Sequence, residues 1–118
     1  MRKSILILDD DDETLALMQR ILQKQYDVST ESDPAALETA IKRVQPSLLI
    51  IDHFVGEENS RDILERFRLN GLFNHIPVVI HSAHDQIEQL ASSVQANGYI
   101  RKPSSIADIR SYIERLLT

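Results

Sequence analysis

The sequence predicts an α/β protein of doubly wound (βα)5 architecture, in which five parallel strands follow the order 2-1-3-4-5 and helices cover both faces of the sheet. Three observations carry this prediction. Five short apolar runs recur along the chain, amphipathic segments with helical spacing separate them, and a length of 118 residues suits one domain, expected to span residues 1–118. Alternation of this kind implies right-handed crossovers between parallel strands.

The predicted strands cover residues 5–8, 26–30, 48–51, 78–80 and 98–101. The third run, Leu48-Leu49-Ile50-Ile51, is continuously apolar, which is typical of a strand buried on both faces of a parallel sheet. The second run is weaker and alternates between apolar and polar residues. Together the runs predict the five strands of one sheet.

The predicted helices lie between these runs, and each has an apolar stripe that should face the sheet. Asp12 is the expected N-cap of the first helix and Asp33, followed by Pro34, that of the second. The fifth should begin after Ser104-Ser105, and Asn70-Gly71 should mark the end of the third. The five stripes are Leu15, Met18, Ile21 and Leu22; Leu37, Ala40, Ile41 and Val44; Ile63, Leu64 and Phe67; Ile87, Leu90, Ala91 and Val94; and Ile106, Ile109, Ile113, Leu116 and Leu117.

Composition narrows the function classes. The chain has no cysteine, which excludes thiol catalysis, disulfides and cysteine-based zinc sites. Its net charge of −5 argues against direct nucleic-acid binding, which usually requires a basic surface. The apolar run at residues 5–8 is too short for a signal peptide or a membrane span. We therefore expect a cytoplasmic protein that binds neither membrane nor nucleic acid.

Polar side chains follow the predicted strands at their carboxyl ends, which meet at one edge of a parallel sheet. Asp9 and Asp10 follow the first strand, Asp52 the third, Ser82 the fourth and Lys102 the fifth. Carboxylates about 4 Å apart repel by about 4 kcal/mol at an effective dielectric constant of 20. A Mg²⁺ ion, which prefers one or two carboxylates together with water and phosphate oxygens, and a lysine would offset that repulsion.

Four segments resemble the receiver domains of two-component response regulators, the family with the CheY-like version of the flavodoxin-type fold. Residues 5–11, Ile-Leu-Ile-Leu-Asp-Asp-Asp, resemble the first strand and its acidic pair. Residues 46–52, Pro-Ser-Leu-Leu-Ile-Ile-Asp, resemble the phosphoacceptor strand, and residues 76–83 the strand that ends in a switch hydroxyl. Residues 98–103, Gly-Tyr-Ile-Arg-Lys-Pro, resemble the segment with the switch aromatic residue and the Lys-Pro pair. The resemblance covers nearly the whole chain in the right order.

The resemblance implies that Asp52 is the nucleophile that takes a phosphoryl group from a phosphohistidine and becomes an acyl phosphate. It implies a Mg²⁺ site in which Asp10 binds directly and Asp9 directly or through water. Asp52 and the backbone carbonyl of Phe54 would complete the protein ligands. The chain would catalyse only its own phosphorylation and dephosphorylation, so it would not be an enzyme in the usual sense.

The same resemblance assigns Lys102 and Ser82 to the phosphoryl oxygens and implies a cis Lys102–Pro103 bond. Ser82 and Tyr99 would form the switch that reshapes the face made by the fourth helix, fifth strand and fifth helix. The implied partners are a sensor histidine kinase or a histidine phosphotransfer protein. A downstream protein or a fused output domain would use the switch face, and a second copy of the chain in a homodimer is a further implied partner.

Some positions depart from the family pattern. Gly56 stands where receivers usually have proline, which predicts a more mobile loop, and Ser60 stands where a glycine usually follows. The stretch from Ser82 to Tyr99 is short, which predicts a short fourth helix. Phe54 and His84 occupy the positions that tune the lifetime of the acyl phosphate. Phe54 should hinder attacking water, whereas His84 would either order a water or shield the phosphate.

The remaining histidines and two rival functions complete the sequence-based expectations. His53 and His75 are expected at the surface, and His81 and His84 should point apart rather than share a zinc ion.

One rival function is a receiver-like binding module that works without phosphorylation. The other is a phosphatase of the haloacid dehalogenase type, suggested by Asp10-Asp11-Asp12-Glu13-Thr14, although the acidic pair needed after the lysine is missing.

Overall fold

The computed structural model describes residues 2–69, 71 and 75–118. The strands are β1 Ser4–Leu8, β2 Asp27–Glu31, β3 Leu48–Ile51, β4 Phe54–Val55, β5 Glu58–Asn59, β6 Val78–Ser82 and β7 Gly98–Arg101. The helices are α1 Asp12–Leu22, α2 Leu37–Val44, α3 Ser60–Leu69, α4 Ile87–Ser93 and α5 Ile106–Leu117, and a 3₁₀ turn at Pro34–Ala36 precedes α2. Within these described ranges, no helix is both long and apolar enough to cross a membrane.

Five strands form one parallel sheet in the order β2-β1-β3-β6-β7. This order confirms the predicted 2-1-3-4-5 arrangement, because in the part of the chain that the structure describes β4 and β5 pair with each other in a separate antiparallel hairpin. The order reverses direction at β1, so the loops that follow β1 and β3 flank one crevice at the carboxyl edge of the sheet.

Two hydrophobic cores lie on opposite faces of the sheet, as the alternation of side chains along a strand requires. On one face, α2, α3 and α4 cover alternate strand residues that include Leu6, Leu49 and Ile80. On the other face, α1 and α5 cover the residues between them, including Ile7 and Val79. The central strands are therefore buried on both sides, which explains their unbroken apolar sequences.

Helix starts agree with the sequence analysis at two positions and differ at one. Asp33 caps the 3₁₀ turn before α2 by accepting from the Ala35 N–H at 2.9 Å, and Ser105 caps α5. The expectation that Asp12 caps α1 is wrong. Asp11 is the cap, since its backbone is extended and its carboxylate accepts from the Glu13 N–H at 3.2 Å and the Thr14 hydroxyl at 2.7 Å. Helix α3 extends to Leu69, and Asn70, half of its predicted end signal, lies outside the described residues.

The segment after β3 folds as a hairpin where the sequence predicted only a polar loop. Gly56 takes the first position of the two-residue turn between β4 and β5 with φ of 63°, a conformation that favours glycine. His53 and Ser60 close the base of the hairpin, because the Ser60 N–H donates to the His53 carbonyl at 2.6 Å. Helix α4 has 7 residues, which confirms the prediction that the fourth helix is short.

Candidate functional site

The parallel ladder continues one residue past each strand end and fixes the backbone of three candidate residues. The Asp9 N–H donates to the Glu31 carbonyl at 3.1 Å, and the Asp52 N–H donates to the Leu8 carbonyl at 3.1 Å. The Lys102 N–H donates to the Ser82 carbonyl at 2.9 Å. The backbone of these three residues is therefore fixed at the edge of the sheet, and a rigid element of this kind holds a reactive side chain in place.

Lys102 joins the two acidic strand ends. Its Nζ lies 3.1 Å from Asp52 Oδ2 and 2.9 Å from Asp9 Oδ2. Because Lys102 follows β7 while the aspartates follow β3 and β1, the side chain must pass over the end of β6, which lies between them. Burial alone would lower the pKa of Lys102, but the hydrogen bonds and negative charges of Asp9 and Asp52 outweigh it and raise that pKa. The ammonium therefore stays charged.

The predicted acidic cluster is present. Asp9, Asp10 and Asp52 each present a carboxylate oxygen within 4.8 Å of the other two. Asp9 is 1 % exposed, and its two oxygens accept from the Asp11 N–H and from Lys102, whereas Asp10 is exposed. Asp10 Oδ2 accepts from the Gly56 N–H at 2.9 Å, so the turn of the hairpin rests against this carboxylate.

The donor set fits a hard divalent cation such as Mg²⁺. Three clustered carboxylates against one ammonium leave excess negative charge, and all donors are oxygen atoms. The resemblance also implies the backbone carbonyl of Phe54 as a donor. His53 and Ser60 are hydrogen-bonded across the hairpin, so the next opposed pair, Phe54 and Asn59, is the non-bonded pair of the alternating ladder. The Phe54 carbonyl therefore points away from β5, as metal binding requires.

Ser82 and His84 lie on the opposite side of the crevice from the acidic cluster. Ser82 is buried at the end of β6, and its hydroxyl accepts from the His84 N–H at 3.2 Å. The Gln86 N–H donates to His84 Nδ1 at 3.1 Å. A neutral His84 that accepts this bond carries its proton on Nε2, so Nε2 cannot take a proton from water. The Nε2–H can still donate to a water or to a phosphoryl oxygen, so this geometry is compatible with both roles considered from sequence.

The ring of His53 contacts the rings of both Phe54 and His84, and we call these three residues the aromatic shield. The His53 ring lies 4.3 Å from that of Phe54 and 5.4 Å from that of His84, the latter edge-on, measured between ring centroids. Phe54 is 59 % exposed. His53 was expected at the surface but is half-buried, because its Nδ1 is hydrogen-bonded at 2.9 Å to the hydroxyl of the fully buried Ser60. Burial and the neighbouring His84 lower the pKa of His53, against the opposing effect of Asp52.

His81 is a feature of the site that sequence reasoning missed. It is 5 % exposed, and its Nδ1 has no hydrogen-bond partner among the described residues. It follows the alternation of β6 two residues after Val79, on the face covered by α1 and α5. Burial, and then the charge of Lys102, lower the pKa of His81 to about 4 against the effect of Asp9. His84 is exposed, so the two histidines do point apart.

Tyr99, the expected switch residue, lies on β7 next to Ile80 of β6 and is half-buried against the core under α4. Its neighbour Gly98 faces α5, where the Tyr112 hydroxyl occupies the space that a Cβ at position 98 would need. The Lys102–Pro103 bond is cis, as expected. Two tyrosines therefore flank the edge strand β7, one on each face of the sheet.

This fold, with acidic residues, a hydroxyl and a lysine at the carboxyl edge of a doubly wound sheet, defines a class of signalling domain, and comparison with known proteins agrees. Residues 5–114 match the family model described as the response regulator receiver domain. The chain belongs to this family.

Several curated relatives are similar in sequence. The chain is 31 % identical over 109 residues to the alginate biosynthesis transcriptional regulatory protein AlgB of Pseudomonas putida, covering 90 % of this chain and 24 % of AlgB. It is 27 % identical to the alkaline phosphatase synthesis transcriptional regulatory protein PhoP of Bacillus subtilis, covering 99 % of this chain and 49 % of PhoP. The chain thus spans about a quarter to a half of the length of these relatives.

Solved structures agree on the fold. The chemotaxis protein CheY4 of Vibrio cholerae superposes with a TM-score of 0.88 at 18 % identity, covering 99 % of this chain and 100 % of CheY4. The N-terminal domain of the nisin resistance regulator NsrR gives a TM-score of 0.88 at 23 % identity, with both chains covered completely. At these identities the likeness supports the architecture alone.

Proposed function

We propose that this receiver domain accepts a phosphoryl group on Asp52 from the phosphohistidine of a sensor kinase or a histidine phosphotransfer protein. An Asp52 carboxylate oxygen attacks phosphorus, and the new P–O bond forms as the P–N bond to the histidine breaks. The electron pair of the broken bond stays on the departing nitrogen. The observation that carries this proposal is the contact of Lys102 Nζ with both Asp52 and Asp9.

The charges of the site support this chemistry. The transferred group brings three oxygens that carry negative charge, and its transition state is stabilised mainly by positioned positive charge. Lys102 is a fixed cation already within hydrogen-bond distance of Asp52. Asp10, Asp9 and the Phe54 carbonyl would hold Mg²⁺, which when bound offsets the charge of the phosphoryl oxygens. The buried Ser82 hydroxyl is the donor for a third oxygen.

The proposed output follows from what phosphorylation adds near Ser82. A phosphoryl group brings about −1.5 to −2 charges and strong acceptor oxygens. Ser82 would turn toward it, and Tyr99, half-buried beside β6, would repack into the space that Ser82 leaves. The face of α4, β7 and α5 would then present a different surface to an output domain, a downstream protein or a second copy. Ile106, which was expected on the stripe of α5 that faces the sheet, is instead 49 % exposed at the start of that helix.

Labelling with a small phosphodonor tests the proposal. With Mg²⁺ and acetyl phosphate, the intact chain should gain the mass of one phosphoryl group, and EDTA should prevent the gain. Asp52→Asn should remain folded without gaining mass. Asp62→Asn, which removes an exposed carboxylate on α3, is the matched control and should label like the wild type. Labelling of Asp52→Asn at the wild-type rate would instead point to another acceptor, whereas a wild-type chain that does not label would favour the binding module that works without phosphorylation.

A further inference from the structure

The two loops that flank the proposed phosphoryl position are linked by a ring contact rather than only by the sheet beneath them. His53 directly follows the acceptor, and its N–H donates to Asp52 Oδ1 at 2.7 Å. His84 follows Ser82 by two residues and is bonded to its hydroxyl through the backbone. The edge-on contact between the His53 and His84 rings therefore joins the side of the crevice with the acceptor to the side with the hydroxyl.

The His53 ring is the central member of the aromatic shield. It contacts Phe54 on one side and His84 on another, and its Nδ1 is bonded to Ser60, a residue with no exposed surface. Ser60 also closes the hairpin base through the His53 carbonyl. Two bonds to one buried residue restrict both the backbone and the ring of His53. Phe54 and His84 are exposed, although His84 Nδ1 accepts from the Gln86 N–H, so His53 is the most buried member of the shield.

We propose that His53 is a positioning residue that joins the two loops into one aromatic shield, which slows both the arrival and the loss of the phosphoryl group on Asp52. This inference rests on the proposed phosphorylation of Asp52. In hydrolysis, a water oxygen forms a bond to phosphorus while the bond from phosphorus to the Asp52 oxygen breaks. The carboxylate keeps the electron pair, and the water proton passes to solvent, which leaves inorganic phosphate.

The shield should affect both labelling and hydrolysis, because the leaving group in labelling and the attacking water in hydrolysis occupy the same position opposite the Asp52 oxygen. Attack on phosphorus in line with the Asp52 oxygen comes from the solvent side of the crevice. The departing acetate of acetyl phosphate occupies that same in-line position when the group arrives. On this proposal the shield covers that side, where the His53–His84 contact joins the loops that follow Asp52 and Ser82, and it slows labelling and hydrolysis alike. A general disturbance of the fold would slow labelling instead, so the sign of the effect distinguishes the two.

The test uses a matched pair of substitutions in the full chain with Mg²⁺. His53→Asn keeps a side chain that can bond to Ser60 but removes the ring, and His53→Phe keeps the ring but loses that bond. His53→Asn should accelerate both labelling by acetyl phosphate and loss of the label by about threefold to tenfold, the range that the loss of aromatic contacts predicts. His53→Phe should lie closer to the wild type. His75→Asn, an exposed histidine at the opposite edge of the sheet, should change neither rate.

The outcomes separate this inference from the proposed function. The proposed role of His53 is wrong if His53→Asn labels and loses its label at the wild-type rates. It is also wrong if His53→Asn labels more slowly while its circular dichroism spectrum is unchanged. If His53→Asn does not fold, a His53→Phe chain with both rates within threefold of the wild type supports the role of the ring, and one that is faster in both rates by threefold or more overturns it. A wild-type chain that never labels on Asp52 would overturn the proposed function, and the shield with it.

Discussion

Lowering the pH should destabilise this protein through one buried histidine, His81. Burial, followed by the charge of Lys102, lowers its pKa to about 4 from an ordinary value of 6.5. Between these two pKa values, His81 is protonated in the unfolded chain and neutral in the folded chain. The free energy of unfolding therefore falls as the pH falls. A difference of about 2.5 between the two pKa values corresponds to about 3 kcal/mol in full, of which about 2.5 kcal/mol should be lost by about pH 4.5.

Urea unfolding of the wild type and of His81→Leu, in EDTA at several values from about pH 7 to about pH 4.5, measures this contribution. Other acidic groups also lose stabilising contacts in this range, but they are common to both chains. The difference between the two free energies of unfolding should therefore change by about 2.5 kcal/mol across the series. His75→Leu removes an exposed histidine and should keep the pH dependence of the wild type. If the free energies of unfolding of the wild type and of His81→Leu change by the same amount across the pH series, the reasoning is refuted.

Three further substitutions test the fold around the site. Gly98→Ala should cost about 1–3 kcal/mol because its Cβ collides with the Tyr112 hydroxyl, and adding Tyr112→Phe should recover part of that loss in urea unfolding. Gly56→Ala should cost about 1–2 kcal/mol, since the φ of 63° at the hairpin turn disfavours a side chain; a shift in the midpoint smaller than that of a surface alanine substitution would contradict this assignment. Asp11→Ala should lower the midpoint of urea unfolding by removing the cap of α1, whereas an equal shift in Asp12→Ala would identify Asp12 as the cap.

The sequence predicted the sheet and its five helices well because each element carries a local burial pattern. An unbroken apolar run such as residues 48–51 can be satisfied only between two layers of helices, and the helical stripes supply those layers. The convergence of Asp9, Asp52 and Lys102 then follows from parallel topology, without knowledge of any distance. The site was predictable to the extent that the chain direction fixes which strand ends share an edge.

The features that sequence reasoning missed depend on geometry that no local pattern records. The hairpin strands have two residues each, too few for an alternation to be visible, and Gly56 was the only hint of a tight turn. Four consecutive aspartates each suit an N-cap, so only the backbone decides that Asp11 takes that role. The burial of His81 had an available signal, since Val79 two residues earlier occupies the same face of β6.

Lys102, whose ammonium contacts Asp9 and Asp52, lies far along the sequence from both aspartates. Asp9 and Lys102 are separated by 93 positions, and the lysine reaches the aspartates only after the last strand has docked on the sheet. A ribosome-bound or truncated chain that lacks β7 would hold its carboxylates together with no cation from the protein to balance them. Self-repulsion in such a fragment would oppose premature compaction, so the site would be complete only when the fold is complete.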